Sequence, residues 1–362
     1  MTTALLAGGG TAGHVNPLLA LAEHWKAVEP EVSIIVLGTA EGLESRLVPD
    51  RGFELQTIER VPFPRRLNRD ALRFPSRFRG AVRRARAIIR DRGVDVVVGF
   101  GGYASAPAYL AARLERVPMI AHEANARPGI ANKLAARLGA AVGTTFAGTP
   151  VRGARVVGMP LRREIVELNR VATRPEALQH FGLDPAHPVL LVTGGSTGAR
   201  RLNETISDAA ARILGAGWQV VHLTGTGRGG TDPDLPGFVS LPYCDRMDLA
   251  FAAADLVLCR AGSATVSELT VLALPAVLVP YAAGNGEQRL NARGMVAAGA
   301  ARLVNDAAVS PQWVADDLVP LLMDRAAIAR MAAAAQSLDR LDGAAELLAL
   351  VREHQSPSKR VG

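Results

Sequence analysis

Residues 3–14 read TALLAGGGTAGH, a short apolar run that ends in closely spaced glycines. Thr3–Ala7 has the length and composition of a buried strand, and a helical pattern follows over Pro17–Val28. Glycines at such a turn allow close approach of the backbone, and the first N–H groups of a helix attract anions. The stretch therefore predicts a strand-to-helix junction that binds an anion or a sugar, in preference to a plain tight turn.

The same arrangement returns in the second half of the chain, where the strand Val189–Thr193 leads into the turn Gly194–Gly198 and a helix through Ile213. Further short apolar runs lie at Ser33–Leu37, Val94–Gly99, Met119–Ala121, Val220–Leu223, Asp255–Cys259 and Ala276–Val279, with helical patterns between them. This alternation is typical of parallel sheets covered by helices on both faces. We therefore expect an α/β fold of two Rossmann-like, doubly wound parallel-sheet domains, residues 1–159 and 160–339, facing a central cleft.

Length, composition and cysteine content indicate a soluble globular protein. The 362 residues suffice for two cores, and 49% hydrophobic with 21% charged residues is the usual balance. The longest apolar runs are interrupted by prolines and fall short of the roughly 20 residues that span a bilayer. The N-terminus lacks a basic region and a signal-type cleavage site. Cys244 and Cys259 show no metal-ligand spacing, so we expect reduced thiols in a cytoplasmic protein.

The first glycine-rich turn spells G-x-G-x-x-G over Gly8–Gly13, which formally matches a dinucleotide-binding fingerprint. Such a site would have an acidic residue at the end of the second strand, but Glu41 comes late for that role. A nicotinamide oxidoreductase is therefore a weak alternative. His14 follows the last glycine directly, and we expect its side chain to enter the cleft. There it could contact substrate or act as a general base near neutral pH.

The second turn, Gly194–Gly198, offers a serine hydroxyl and several backbone N–H groups at the start of a helix. This chemistry fits a pyrophosphate, although the turn lacks the Gly-Lys-Ser of a Walker A loop. A third junction at residues 260–268 places Glu268 early in a helix, where a carboxylate can accept both hydroxyls of a ribose. Residues 284–288 bring further polar groups to the same end of the sheet.

Positive charge is concentrated in one segment, Arg60–Arg92. It holds twelve arginines against two aspartates, a local charge of +10, so that the rest of the chain sums to −3. Apolar residues alternate with these arginines, and anionic headgroups attract basic clusters at about 1 kcal/mol per residue. We expect a peripheral membrane patch here, with a solvated basic helix or nucleic-acid binding as alternatives. The membrane residues that we single out are Arg73, Phe74, Arg77, Phe78 and Arg83.

Together these motifs resemble the MurG family, the undecaprenyldiphospho-muramoylpentapeptide β-N-acetylglucosaminyltransferases. The resemblance covers nearly the whole chain and rests on residues 9–14 with Asn16-Pro17, Gly101-Gly102-Tyr103, His122-Glu123-Ala124-Asn125, Gly194–Ala199, Arg260–Glu268, and Gln288 with Asn291. Three positions depart from the family pattern. Ala124 stands where the family has Gln, Met159 where it has Asn, and Glu287 where a paired Gln is common.

The resemblance implies a GT-B fold in which a C-terminal helix, residues 340–355, joins the first domain. It also implies inverting transfer of N-acetylglucosamine from UDP-N-acetylglucosamine to the C4 hydroxyl of the muramoyl sugar of lipid I. The product is lipid II, used in peptidoglycan synthesis for the cell wall. A lipid-linked acceptor implies a peripheral location on the cytoplasmic face of the cell membrane, with an anionic membrane surface as a partner and no nucleic acid.

The resemblance further implies roles for individual residues. The donor would contact Thr11, Gly13, Asn125, Arg162, Gly195, Ser196, Met247, Ala264, Glu268 and Gln288. The acceptor would contact Gly10, Thr11, His14, Gly102 and Tyr103. His14 is the expected catalytic base, with Glu123 in reserve. No metal or other cofactor is expected, because amides and helix N-termini at Gly194–Gly198 could stabilise the departing UDP.

Two alternatives of other kinds remain from the sequence. A non-hydrolysing UDP-N-acetylglucosamine 2-epimerase has the same double-Rossmann plan, but it would need no lipid patch. A regulatory module could keep affinity for a UDP-sugar without turnover. The presence of His14, Asn125 and Glu268 argues against such a module.

Overall fold

The structure is a computed structural model that describes residues 1–64, 69–226, 231–282 and 286–355. Three sequence-based predictions fall outside these ranges: part of the arginine-rich segment (Arg65, Arg66 and Leu67), the polar pair Gly284-Asn285, and a disordered tail at Ser356–Gly362.

Strands and helices alternate along both halves of the chain. The strands are β1 (Thr3–Ala7), β2 (Ser33–Gly38), β3 (Glu54–Thr57), β4 (Val96–Gly99), β5 (Met119–Glu123), β6 (Ala141–Thr144), β7 (Arg155–Val156), β8 (Val189–Thr193), β9 (Gln219–Leu223), β10 (Phe238–Leu241), β11 (Leu256–Cys259), β12 (Ala276–Leu278) and β13 (Ala301–Leu303). The helices are α1 (Ala12–Val28), α2 (Glu44–Asp50), α3 (Arg69–Asp91), α4 (Gly102–Glu115), α5 (Ile130–Arg137), α6 (Arg163–Val166), α7 (Arg170–Phe181), α8 (Arg200–Asp208), α9 (Ala210–Gly215), α10 (Met247–Ala253), α11 (Ser263–Val271), α12 (Glu287–Asn291), α13 (Arg293–Ala297), α14 (Pro311–Trp313), α15 (Val319–Met323), α16 (Arg325–Gln336) and α17 (Gly343–His354). A 3₁₀ turn lies at Asp306–Ala308 and a π-helical turn at Val314–Leu318.

The described residues divide into two compact units. The first contains Met1–Arg163 and the C-terminal segment from Leu341, and the second contains Glu164–Arg340. Each unit is built around one parallel sheet whose strands are joined by helices. The expectation of two doubly wound parallel-sheet domains is thus confirmed.

The first unit has a parallel sheet in the order β3-β2-β1-β4-β5-β6-β7. Because side chains alternate between the two faces of a strand, Leu5 and Ala7 enter one apolar cluster while Ala4 and Leu6 enter another. Helices α3, α4 and α5 contribute to the first cluster, and α1 and α17 contribute to the second. The sheet is therefore buried on both faces, which explains the continuous apolar runs in its central strands.

The C-terminal helix α17 is part of the first unit. Its Leu347 and Val351 are fully buried and pack in the same cluster as Trp25 of α1. Asp342 caps the helix by accepting the backbone N–H groups of residues 344 and 345, and Arg352 pairs with Glu29. The chain thus returns to its first domain after completing the second.

The second unit has a parallel sheet in the order β10-β9-β8-β11-β12-β13. In both sheets the strand order reverses beside the first strand of the unit, between β1 and β4 and between β8 and β11. Open α/β sheets bind ligands in the crevice at such a reversal, beyond the carboxyl ends of the strands. The two glycine-rich turns follow β1 and β8, so each lies at the reversal point of its own sheet.

Some helices differ from the sequence-based boundaries. Helix α1 begins at Ala12, five residues before the predicted Pro17, so that Pro17 lies inside the helix. The segment predicted as a single helix through Ile213 is two short helices, which meet at Ala209. Within the described ranges, no helix combines the length and the apolar character needed to cross a membrane.

Candidate functional site

The reversal point of the first sheet brings together the five residues predicted to bind an acceptor, namely Gly10, Thr11, His14, Gly102 and Tyr103. A Cβ added at Gly102 would overlap the carbonyl oxygen of Gly9, so the turns after β1 and β4 are in direct contact. Tyr103 lies beside Gly10, and a Cβ at Gly101 would come within 3.1 Å of the His14 ring. The two turns form one continuous surface, and only glycine fits at its closest approach.

His14 is held on this surface by Thr11. The Thr11 Oγ1 atom lies 3.0 Å from Nδ1 of His14, and the imidazole is half-buried. Thr11 also accepts the backbone N–H of His14, which fixes the first turn of α1. The hydrogen bond to Nδ1 leaves Nε2 as the ring nitrogen nearer to Gly101. The side chain is thus oriented by its own helix start.

Arg60 lies over the ring of Tyr103, with its guanidinium carbon 4.8 Å from the ring centroid. A cation at this distance is attracted by the negative face of the aromatic ring. The contact joins the start of the arginine-rich segment to the first turn of α4. Sequence reasoning placed Arg60 in the basic segment but did not connect it to Tyr103.

Glu123, the reserve base, ends β5 in a buried hydrogen-bond network. Its Oε1 accepts the N–H of Asn125 at 3.0 Å, and its Oε2 accepts the N–H of Gly129 and Nδ2 of Asn132, each at 2.9 Å. Only 3% of Glu123 is exposed. The carboxylate therefore shapes the loop that carries Asn125, which is half-buried.

Tyr109 and Asn132 complete this network. The Tyr109 hydroxyl donates to Oδ1 of Asn132 at 2.9 Å, while Nδ2 of Asn132 also donates to the carbonyl of His122. Burial, reinforced by the charge of Glu123, raises the pKa of Tyr109 well above its usual value. The role of Asn132 was not predicted from the sequence, because the residue is part of no local motif.

The second unit presents its own turn at the reversal point between β8 and β11. Gly195, Ser196 and Thr197 are exposed, while Gly198 is buried against Gly225, where a Cβ on Gly225 would overlap the Gly198 backbone. Thr226 donates its N–H to the carbonyl of Ser196 at 3.1 Å. The turn is thus fixed by the neighbouring strand end, and it exposes two hydroxyl groups at the start of α8.

The junction after β11 lies beside that turn. Arg260 is 12% exposed and pairs with Asp306 at 2.6 Å, and it also donates to the carbonyl of Val279. Asn291 is buried and donates to the carbonyl of Ala261. Glu268 is half-buried in the second turn of α11. The pKa of the Cys259 thiol is raised mainly by the burial of the thiol and further by the charge of Glu268. The Glu268 carboxylate therefore lies near the end of β11.

The other residues predicted to contact the donor are spread over several elements. Ala264 is in the first turn of α11, and Met247 begins α10 after β10. Gln288 of α12 uses its Oε1 to accept the N–H of Tyr281 at 2.8 Å. Thr11, Gly13, Asn125 and Arg162 all belong to the first unit. Cys244, near Met247, has a pKa raised by burial, and both cysteines are free thiols.

Helix α3 carries the predicted membrane residues on two different surfaces. Phe74 and Phe78 stack with centroids 5.4 Å apart, contact Phe63, and pack against the core. Arg77 pairs with Glu59 at 2.6 Å. Arg73 and Arg83 are exposed, as is Leu72 at 82%. The solvent-facing side of α3 therefore presents the cationic Arg73 and Arg83 together with the apolar Leu72.

The sequence contains one Asp-x-Asp triplet, Asp232-Pro233-Asp234, before β10. Its two aspartates hydrogen-bond locally, since Oδ1 of Asp232 accepts the N–H of Asp234 at 3.0 Å. In the part of the chain that the structure describes, no three His, Cys, Asp or Glu side chains are grouped as a metal site would require.

Comparison with known proteins gives concordant matches. A family model for the glycosyltransferase family 28 N-terminal domain matches residues 4–144, and one for the family 28 C-terminal domain matches residues 189–347. A UDP-N-acetylglucosamine–N-acetylmuramyl-(pentapeptide) pyrophosphoryl-undecaprenol N-acetylglucosamine transferase of Leifsonia xyli subsp. xyli is 58% identical over 353 residues, which are 97% of this chain and 98% of the relative.

Among solved structures, Acinetobacter baumannii MurG matches with a TM-score of 0.79 and 27% identity, over 98% of this chain and 100% of its own. A Listeria monocytogenes protein described as a UDP-N-acetylglucosamine 2-epimerase matches with a TM-score of 0.69 at 12% identity, over 100% of this chain and 98% of its own. The second likeness concerns the fold alone. From the extent and identity of the sequence match, the chain belongs to the MurG family of glycosyltransferases, within glycosyltransferase family 28.

Proposed function

We propose that this protein transfers N-acetylglucosamine from UDP-N-acetylglucosamine to the C4 hydroxyl of the muramoyl sugar of lipid I. The product would be lipid II, with inversion at the anomeric carbon. Family membership supports the reaction, since the relative of 58% identity has the name of this transferase. The structural observation that carries the proposal is that both sheets end, at their reversal points, in a glycine-rich turn with polar side chains beside it.

The second unit would bind the donor. The exposed hydroxyl of Ser196 and the backbone at Gly195, at the start of α8, suit the pyrophosphate of UDP. Glu268 lies close to the end of the neighbouring strand β11, where its carboxylate can accept ribose hydroxyls. Met247, Ala264 and Gln288 are the further donor contacts that we propose in this unit. From the first unit we propose Thr11, Gly13, Asn125 and Arg162.

The departing UDP gathers negative charge as the glycosidic bond breaks. Backbone N–H groups aimed at that charge from a fixed turn lower the barrier, because they need no reorganisation during the reaction. The turn Gly194–Gly198 is fixed by its contact with Gly225 and by the bond from Thr226. Gly195 and Gly198 donate their N–H groups within the protein, to Thr193 Oγ1 and to the Gly195 carbonyl. We therefore propose that the N–H groups of Ser196 and Thr197 stabilise UDP and that no tightly bound metal is needed.

The first unit would bind the acceptor at Gly10, Thr11, His14, Gly102 and Tyr103. The acceptor hydroxyl must lose its proton as it attacks, and His14 is the base that we propose. It is half-buried on the surface formed by the two turns, whereas Glu123 is 3% exposed and accepts three hydrogen bonds from the following loop and α5. We therefore assign Glu123 a supporting role beneath Asn125.

We further propose that the protein attaches peripherally to the cytoplasmic face of the cell membrane through α3. Exposed Arg73 and Arg83 would meet anionic headgroups, and exposed Leu72 would enter the interface. Phe74 and Phe78 would support this surface from below, since they stack and pack on the core. Lipid I resides in the membrane, so such attachment would bring enzyme and acceptor together.

An epimerase function is not favoured. The Listeria monocytogenes protein described as an epimerase is 12% identical to this chain in sequence, so the likeness concerns the fold alone. The chain's identity to named transferases is far higher and extends over nearly its whole length.

The reaction can be tested by incubating the protein with UDP-N-acetylglucosamine and a soluble lipid I analogue while measuring UDP. We expect UDP release that depends on the acceptor and a β-linked disaccharide product by NMR. UDP release without acceptor would indicate a hydrolase. Formation of the 2-epimer of the donor, or no turnover, would contradict the proposed transfer.

A further inference from the structure

Glu44 is a buried carboxylate beneath the first glycine-rich turn. It begins α2 and is 0% exposed. Its Oε2 accepts the backbone N–H of Gly10 at 2.8 Å, and its Oε1 accepts both the N–H and the hydroxyl of Thr39, each at 2.8 Å. A charge taken out of water is costly unless it is fully hydrogen-bonded, and here both oxygens are engaged.

Three glycines make room for this carboxylate. A Cβ added at Gly9, Gly38 or Gly42 would overlap the Glu44 side chain. These glycines come from the turn after β1, the end of β2 and the loop before α2. The backbone of three separate segments is therefore shaped around one side chain, which joins the first turn to the adjacent strand end.

Glu44 is separated from the proposed acceptor surface by a single residue contact. Gly10, whose N–H is bound by Glu44, lies against Tyr103, and Gly9 contacts Gly102. Thr11 and His14 follow directly in the chain, so a shift of Gly10 would displace the start of α1. Because the Gly10 N–H is already donated to Glu44, this amide is also not the anion-binding group that the dinucleotide-like spelling suggests.

We infer that Glu44 is a positioning residue for the reaction, which holds the acceptor-side turn, and His14 with it, in the geometry that transfer requires. This inference rests on the function proposed above. Glu44 acts through the turn and does not itself contact the acceptor. A displacement of about 1 Å in a catalytic group can cost on the order of 100-fold in rate.

Glu44→Gln is the sharpest variant, because glutamine has the same shape but only one acceptor oxygen. If the amide oxygen accepts from Thr39, the amide NH₂ group faces the Gly10 N–H. If the amide is turned the other way, its NH₂ group faces the Thr39 N–H instead. One backbone donor is then left unsatisfied in either case. Asp95→Asn is the matched control, since Asp95 also accepts a backbone N–H, from Thr3, at the amino ends of the strands of the same sheet, away from the glycine-rich turn.

The experiment has two independent readouts on the full-length protein. Hydrogen exchange followed by mass spectrometry should find faster exchange in peptides covering residues 8–14 in Glu44→Gln and unchanged exchange there in Asp95→Asn. Steady-state kinetics should find kcat lowered by about 10- to 100-fold and a raised acceptor KM. The Kd for UDP, measured by calorimetry, should stay within about twofold of wild type, because the residues that we assign to its pyrophosphate and ribose, Gly195, Ser196 and Glu268, lie in the second unit.

Thr39→Val removes a single hydroxyl donor and should produce a smaller change of the same kind in both readouts. It decides the question if Glu44→Gln does not fold. Wild-type exchange at residues 8–14 in the folded variants would overturn the inference, and so would faster exchange with unchanged kcat and acceptor KM. If the wild-type protein shows no acceptor-dependent UDP release, the proposed function fails, while unchanged exchange would separately refute the structural role of Glu44.

Discussion

The proposed role of His14 as a general base depends on which of its two ring nitrogens carries the proton. A general base must have Nε2 available to accept one, so Nδ1 must carry the ring proton and donate it to Oγ1 of Thr11, 3.0 Å away. In the other tautomer Thr11 would donate to Nδ1, and Nε2 would already be protonated. The proposed base role therefore predicts that Thr11 is an acceptor in the resting enzyme.

His14→Ala should lower kcat by about 10²- to 10⁴-fold, the range of a positioned proton-transfer group. UDP binding should change little, because the residues that we propose for the nucleotide lie in the second unit. Acceptor-dependent UDP release and calorimetric binding of UDP measure the two effects. His24→Ala, on the same helix but ten residues further along, is the control and should retain wild-type rates. Equal losses of kcat and UDP affinity in His14→Ala would refute the base role.

Some site residues could be found from sequence and others could not, for a physical reason. His14, Ser196 and Glu268 belong to strand-to-helix junctions, so the local pattern alone predicts that they lie near the ligand end of a sheet. Glu44 and Asn132 act through partners 34 and 9 residues away, and neither is part of a local motif. Which backbone donor a buried side chain will meet depends on how strands pair, and that is decided only in the folded chain.

At the scale of elements, α3 has a divided surface. Val82, Ala85, Ile88 and Ile89 are buried in the core of the first unit, while arginines occupy the solvent side. Pro75 lies within the helix, close to the exposed Leu72 and Arg73. A helix that needs one face for packing still has the other available for a charged surface.

Replacement of Arg73 and Arg83 by Gln should weaken binding to vesicles that contain anionic lipid. Two basic residues at about 1 kcal/mol each correspond to a loss of about 30-fold in the partition coefficient. The matched control is Arg113→Gln with Arg137→Gln, which removes the same charge from exposed sites on α4 and α5 of the same unit. Vesicle sedimentation at low and high salt would measure the difference. Equal binding of the two double variants would exclude α3 as the membrane surface.

Edge elements were harder to predict than central ones. The central strands β1, β4 and β8 are apolar except for a terminal threonine in β1 and in β8, because both faces are covered, and the sequence pattern identified them. Strand β3 reads Glu-Leu-Gln-Thr and is half-exposed, and β13 has the exposed Arg302 in its centre. Short edge strands of this kind have no distinct periodicity, so their existence depends on pairing with a neighbour.

At the scale of the whole molecule, repetition along the chain was the most informative signal. Two runs of strand, glycine-rich turn and helix in tandem predict two sheets, and the strand order of each sheet has the same reversal. The facing of two ligand sites remains a prediction. Each unit also buries one histidine in its sheet, His122 in β5 and His222 in β9, and both are 0% exposed.

Burial lowers the pKa of both histidines to about 4, because each imidazole would lose its hydration on becoming charged. His122 Nε2 lies 2.9 Å from the carbonyl of Gly158, and His222 Nε2 lies 3.2 Å from Oδ1 of Asn203. Above pH 6.5 both residues are neutral in the folded and unfolded chains and do not affect the pH dependence of stability. Below it, the unfolded chain binds protons that the folded chain cannot bind until about pH 4.

The free energy of unfolding should therefore fall as the pH drops from about 6.5 to about 4, by on the order of 3 kcal/mol for each histidine.

Replacing either histidine with Gln removes one of these two buried titratable groups. Each variant should lose less stability between pH 7 and pH 4.5 than wild type does, even if it is less stable at pH 7. Urea unfolding at both pH values, followed by circular dichroism, measures this difference. His187→Gln is the comparison variant, because it makes the same replacement at a histidine side chain that is 51% exposed. An identical pH dependence in wild type, His122→Gln and His222→Gln would mean that burial does not lower the pKa of these histidines below its value in the unfolded chain.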